Sequence, residues 1–222
     1  MSVSNVQRIL TDSIPKIADV VQDVIYWPER MAIKTAMPIA FRARYRQTES
    51  IIDCLEIQIE KPTDSLKQAL TWSEYKKCNT LKYLISSTPN GFVNFISGGY
   101  GGRTSDKDIL KKSGYLNCLP DGASVIADRG FKHVTPMLTA KNCILIRPPS
   151  VSEGKKLSKV EMKKNKTIAA LRVHVERVIK KLREFTMLGP HACIHHSLLY
   201  LMNHIIIIAC AIINVQGKLI KC

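Results

Sequence analysis

Three acidic residues sit where backbone geometry would present them well for chemistry. Asp53 follows Ile51-Ile52 in the apolar run IIDCLEIQIE. Asp128 ends the run VIA in VIADRGF. Glu176 lies in RVHVERV, a stretch with helical apolar spacing. A carboxylate at the end of an apolar run is costly to desolvate, so it is usually paired, hydrogen-bonded or bound to a metal. Two strand-borne aspartates and one helix-borne glutamate make an all-oxygen donor set suited to Mg²⁺, which favours carboxylates, waters and substrate phosphates. Two such ions ~3.5–4 Å apart can activate a nucleophile and stabilise a leaving oxygen in phosphoryl transfer. Spacing alone leaves ordinary readings open. Asp53 can be a strand-edge residue paired to lysine, Asp128 a turn former before Gly130, and Glu176 half of an i,i+4 pair with Arg172 or Lys180.

The elements that must position these acids are legible in the periodicities. Residues 3–26 have helical spacing, with Pro15 between two short helices or at the start of the second. WPERMAIKTAMPIAFRARY reads as turns and a short helix. Ser50 to Glu60 alternates like a strand. Thr80 to Ser87 and Gly91 to Ser97 flank Thr88-Pro89-Asn90 and read as a hairpin. GGYGGRTSDKDI is a glycine-rich loop entering a short helix. It lacks the GK[ST] of a phosphate-binding P-loop, so its glycines are read as turn formers. Ala123 to Ala127 and Asn142 to Arg147 are strands. SVSEGKKLSKVEMKKNK reads as a polar loop, Thr167 to Phe185 as a helix, and about Ser197 to Val215 as the last helix. That last run approaches membrane length, but Asn203 and His204 near its middle mark it as a buried core helix. The order of elements predicts a mixed α/β domain with helices covering a central sheet.

Composition narrows the partners. The chain has 222 residues, 45% of them apolar, enough for one sizeable domain. Net charge is +15, from 33 Lys and Arg against 18 Asp and Glu, which points to a polyanionic partner. The seven cysteines are widely spaced with no CxxC, which fits reduced structural thiols. The N-terminus has no apolar signal core. Trp72 and Tyr75 in TWSEYKK could stack on an unpaired base or form a packed aromatic corner.

The segments IIDCLEIQIEKP, TWSEYKKCNTLKYLI, SGGYGGRTSDKDI, LPDGASVIADRGF and IAALRVHVERVIKKLREF resemble, in order, the DDE superfamily endonuclease domain of Harbinger-like transposases, from about Pro28 to about Val215. The resemblance implies an RNase H-like α/β fold, a mixed sheet flanked by helices whose first and fourth strands carry aspartates, followed by a glutamate-bearing helix. It implies Asp53, Asp128 and Glu176 as catalytic residues and ligands of Mg²⁺ or Mn²⁺, with Asp106 as a further ligand or supporting group. The 47 residues between Asp128 and Glu176 match the family's gap. Arg172 matches the arginine of its R(3)E(6)K signature, and Arg183 stands at the final lysine. Leu55 stands where the family carries threonine, and Ala169 where it carries tyrosine. DNA contacts are expected from Arg172, Arg177, Lys180, Lys181, Arg183, Arg103 and Arg129, since Lys and Arg bind phosphates without reading sequence. The implied division is a helical segment at 1–46, a nuclease domain at 47–216 and a tail at 217–222. The implied partners are DNA, a homo-oligomer and a separate DNA-binding protein, with no membrane, and action in the nucleus. The alternatives are an inactive module of the same origin that binds DNA or protein, and a basic structural protein held to polyanions by charge alone.

Overall fold

The computed structural model describes residues 2–148 and 158–217. Its helices are α1 (Val3–Val21), α2 (Arg30–Thr35), α3 (Ile39–Arg42), α4 (Ser65–Thr71), α5 (Asp106–Lys112), α6 (Tyr115–Cys118), α7 (Thr135–Thr139), α8 (Lys159–Leu182) and α9 (Met202–Val215). Its strands are β1 (Thr48–Ile59), β2 (Trp72–Ser73), β3 (Cys78–Ser87), β4 (Val93–Ile96), β5 (Tyr100–Gly101), β6 (Ser124–Ile126), β7 (Ile144–Ile146) and β8 (Cys193–Ile194).

β1 is the axis of the sheet. It runs antiparallel to β3 on one side and parallel to β6 on the other, and β7 extends the parallel side to the edge. The predicted hairpin is β3 and β4, turned at Thr88 to Phe92, where Gly91 takes a positive φ of 89°. Helices cover both faces of β1, which is why its apolar residues pack on both sides of the sheet. Ile51, Leu55, Ile57 and Ile59 lie in clusters with Leu171, Val175, Val178 and Leu182 of α8 and with α9. Ile52 turns the other way, into a cluster with Ile109, Leu110, Tyr115 and Leu138. Leu55, at the departure from threonine, is therefore an apolar plug beneath α8. With the two-residue strands set aside, β6 is the fourth strand, and the architecture is that of an RNase H-like α/β fold.

Three elements differ from the sequence expectation. Helix α1 is continuous from Val3 to Val21 with Pro15 inside it. Proline removes one helix hydrogen bond, but packing of α1 along α9 holds the two halves in line. Helix α8 begins at Lys159, inside the stretch expected to be loop, because Ser158 and Glu161 form a capping box. The earlier part of that loop, 150–157, lies outside the described residues. The last helix starts with a 3₁₀ segment, His196–Leu201, before α9 proper. This apolar run has the length of a membrane span, yet Met202, Ile206, Ala209, Cys210 and Ile213 are buried against β1 and β3.

Candidate active site

Asp53 sits mid-β1, on the face that α8 covers. The Cys54 backbone N–H donates to its Oδ1 at 2.8 Å, which fixes the carboxylate. Asp128 follows β6 after buried Ala127 and caps the 3₁₀ helix Arg129–Val134, accepting from the Arg129 N–H. On α8 the stripe Ile168, Leu171, Val175, Val178 and Leu182 is buried. Arg172 and Glu176 lie one turn apart beside that stripe, which brings both to the carboxylates of the sheet.

These groups meet at one atom. Arg172 Nη2 is 3.3 Å from Asp53 Oδ2, 3.6 Å from Asp128 Oδ2 and 3.6 Å from Glu176 Oε1. The arginine side chain is 15% exposed and Asp53 21%, whereas Asp128 and Glu176 are 44% and 52% exposed. Burial pushes the Asp53 carboxyl above the usual range, and the carboxylates of Asp128 and Glu176 push the same way. The Cys54 N–H and Arg172 pull against them. Three carboxylates around one guanidinium leave two negative charges uncompensated, the deficit that a divalent cation fills. Their oxygens are the hard donors that Mg²⁺ and Mn²⁺ take. Among the described residues, no three acidic, histidine or cysteine side chains close into a chelating group as they stand. The guanidinium holds the point of convergence, and its Nε is buried without a partner. By charge and donor chemistry the residues fit the implied metal.

The next residues along β1 lead to a second charged group. Glu56 faces Lys82 in the β1–β3 register. Lys82 Nζ lies 2.6 Å from Asp106 Oδ1 and 3.8 Å from Glu56 Oε1, and the Cys54 thiol donates to Asp106 Oδ1 at 3.5 Å. Burial alone would lower the lysine's pKa, but hydrogen bonding and attraction to Asp106 raise it overall. The same burial, with Asp106 beside it, raises the Cys54 thiol well above its ordinary value, so that sulfur stays protonated. Asp106, expected as a further ligand, is thus neutralised by Lys82. Gly130 explains how the Asp128 loop reaches this group: a Cβ there would lie 2.6 Å from Asp106 Oδ2. Asp53, Asp106, Asp128, Arg172, Glu176 and Arg183 line one open cavity of about 620 Å³. An adjoining cavity of about 410 Å³ is walled by Trp72, Tyr75 and Arg103.

The basic residues expected at DNA divide by environment. Arg177, Lys180, Arg103 and Arg129 are exposed, and Lys181 pairs with Glu184 at 3.4 Å. Arg183 is half-buried. Its Nη2 donates to the Glu56 carbonyl at 2.5 Å and its Nη1 to the Leu188 carbonyl at 3.0 Å, which ties the end of α8 to β1. Glu56 was not singled out by sequence, because only the strand register sets it against Lys82.

Residues 52–214 match the family described as DDE superfamily endonuclease. The chain is also similar to a "Probable transposase for insertion sequence element IS702" of Microchaete diplosiphon, 27% identical over 140 residues. That match covers 63% of this chain and 48% of the relative, so the chain spans about half the relative's length. No solved structure matches the chain.

Proposed function

We propose, since the chain belongs to the DDE superfamily endonuclease family, that it is a transposase-type nuclease domain that breaks or transfers DNA phosphodiester bonds. The observation that carries this reading is the convergence of carboxylates from β1, the β6 end and α8 on a single cationic point. Asp53, Asp128 and Glu176 are the residues that would hold Mg²⁺ or Mn²⁺. When bound, such ions supply Lewis-acid polarisation of the phosphoryl group and a lowered pKa for the attacking water or 3′-hydroxyl. The chain's own contribution is positional. The Cys54 N–H fixes Asp53, the cap at Arg129 fixes Asp128, and Arg172 holds all three acids to one place. Lys82 pairs closely with Asp106 and lies within 3.8 Å of Glu56, so its charge is spent on these two acids and not on the triad. Arg103 walls the adjoining cavity, and Arg129 and Arg177 follow Asp128 and Glu176 in sequence; with exposed Lys180 they would supply charge for the phosphates on either side.

The test is the Asp53→Asn/Asp128→Asn double variant, followed by Mn²⁺ calorimetry and by conversion of supercoiled plasmid to nicked or linear DNA. Wild type should bind Mn²⁺ and cut. The variant should do neither while still binding DNA, and cutting by the variant would sink the assignment. One observation favours a second reading, an inactive module of the same origin: the Arg172 guanidinium already stands among the three acids. A wild-type chain that binds DNA but takes up no Mn²⁺, with or without DNA, would select it.

A further inference from the structure

A second concave surface lies away from the carboxylates. It is a groove of about 950 Å³ at the β7 edge of the sheet, between the segment that leads into β1 and the first turns of α8. Arg42, Arg44, Arg46, Arg147 and Lys164 line it, and among the described residues no carboxylate does. The three arginines alternate along a segment anchored by Tyr45, which is 9% exposed and whose N–H donates to Phe41 O. Arg42 Nε donates to the Met37 carbonyl at 2.8 Å, which steadies that side chain. The wall also holds the Thr48 hydroxyl, fully buried and without a hydrogen-bond partner. Arg42, Arg44, Arg46 and Lys164 put four like charges in one concavity, which repel each other and focus a positive field, an arrangement that a polyanion relieves. Arginine forks match phosphate oxygens in pairs.

The position of the groove narrows the polyanion. Thr48 in its wall is five residues before Asp53 on β1, or roughly 17 Å at about 3.3 Å per residue. Lys164 is twelve residues before Glu176 on α8, or roughly 18 Å at about 1.5 Å per residue. Both paths place the groove the same distance from the triad. At about 3.4 Å per nucleotide along one strand, that is about five base pairs. We infer that the groove binds the sugar–phosphate backbone of duplex DNA about half a helical turn from the phosphate held at the carboxylates. The inference rests on the nuclease reading. It adds a flank-holding site that contacts no base edge and lies outside the residues proposed to border the triad.

The experiment is fluorescence anisotropy of a labelled 30-base-pair duplex across a KCl series, with wild type and the Arg44→Ala/Arg46→Ala/Lys164→Ala variant. These three side chains are exposed. Each lost phosphate contact removes about 0.9 from the slope of log affinity against log salt, so the variant's slope should be shallower by about 2.7 and its binding weaker at every salt concentration. Arg44→Lys/Arg46→Lys keeps the charge and should keep the slope. A loss there would trace the effect to altered folding and overturn the inference. Wild-type binding with an unchanged slope in the triple variant would overturn it and leave the nuclease reading intact. No salt-sensitive duplex binding by wild type would remove both. Weaker binding of polyglutamate but not of duplex by the triple variant would assign the groove to acidic protein and also overturn it.

Discussion

Replacing Arg172 with methionine tests whether the site is built around a missing cation. Methionine keeps most of the arginine's length and removes its charge. At 3.3 Å and an effective dielectric of about 20, the attraction between Arg172 and Asp53 is about 5 kcal/mol. Asp128 and Glu176 are about half exposed, so solvent screens their pairs to about 0.2–1 kcal/mol each. Against these gains stands the cost of burying the guanidinium, several kcal/mol. The net loss in the variant is then about 2–4 kcal/mol, most of it from Asp53, whose carboxyl is left buried beside two other acids. Urea unfolding in EDTA should show that loss. Adding Mn²⁺ should return stability to the variant, by about 2.7 kcal/mol at a hundredfold excess over its dissociation constant. Wild type should gain less, since its own guanidinium already holds the acids. A variant as stable as wild type in EDTA, with no response to Mn²⁺, would refute the argument that the three carboxylates form one electrostatic unit.

Three further outcomes follow from the same geometry. Lys82→Met strands Asp106 and Glu56 at low exposure and should cost about 3 kcal/mol in urea unfolding; a loss under 1 kcal/mol would show that the lysine is dispensable. Gly130→Ala places a methyl against Asp106 Oδ2 and should cost about 1–3 kcal/mol, with reduced cleavage because the Asp128 loop must shift; wild-type values for both would contradict the close approach. His174 is buried, bonded through Nδ1 to the Pro89 carbonyl at 2.7 Å and stacked edge-on with Phe41. Burial, with Arg177 adding to it, lowers the His174 pKa below its ordinary 6.5. The unfolded chain therefore binds this proton first, so stability should fall as pH drops through about 6.5 and level off below the folded value. Melting temperatures between pH 5 and 7.5 should show that slope in wild type and a smaller one in His174→Gln, and identical slopes would exclude His174 as the source.

Much of the fold was legible because local periodicity records it. The alternation of β1, the turn at Thr88-Pro89-Asn90 and the apolar stripe of α8 are all set by neighbours within a few residues; the Ser158–Glu161 capping box is equally local, but its Lys-rich surroundings read as loop. The spacing of Asp53, Asp128 and Glu176 was readable too, and the ion pair of Arg172 with Glu176 is the i,i+4 contact that a helix dictates. Sequence could not place these acids at a common point, because that depends on β6 lying parallel to β1 and on α8 crossing the face that carries Asp53. The continuity of α1 through Pro15 is likewise decided by its packing on α9 and not by its own propensities.

What the sequence alone determined is the inventory: three acids on three elements, a surplus of fifteen positive charges, and the periods that say which residues are buried. Tertiary structure decided which charges answer which. Arg172 stands among the triad, Lys82 sits between Asp106 and Glu56, and Arg44, Arg147 and Lys164 from three separate segments share one groove. The physical reason is range. Helical and strand periods act over a few residues, whereas the charge balance at a point in space is set by strand order and helix crossing, which join residues more than a hundred positions apart.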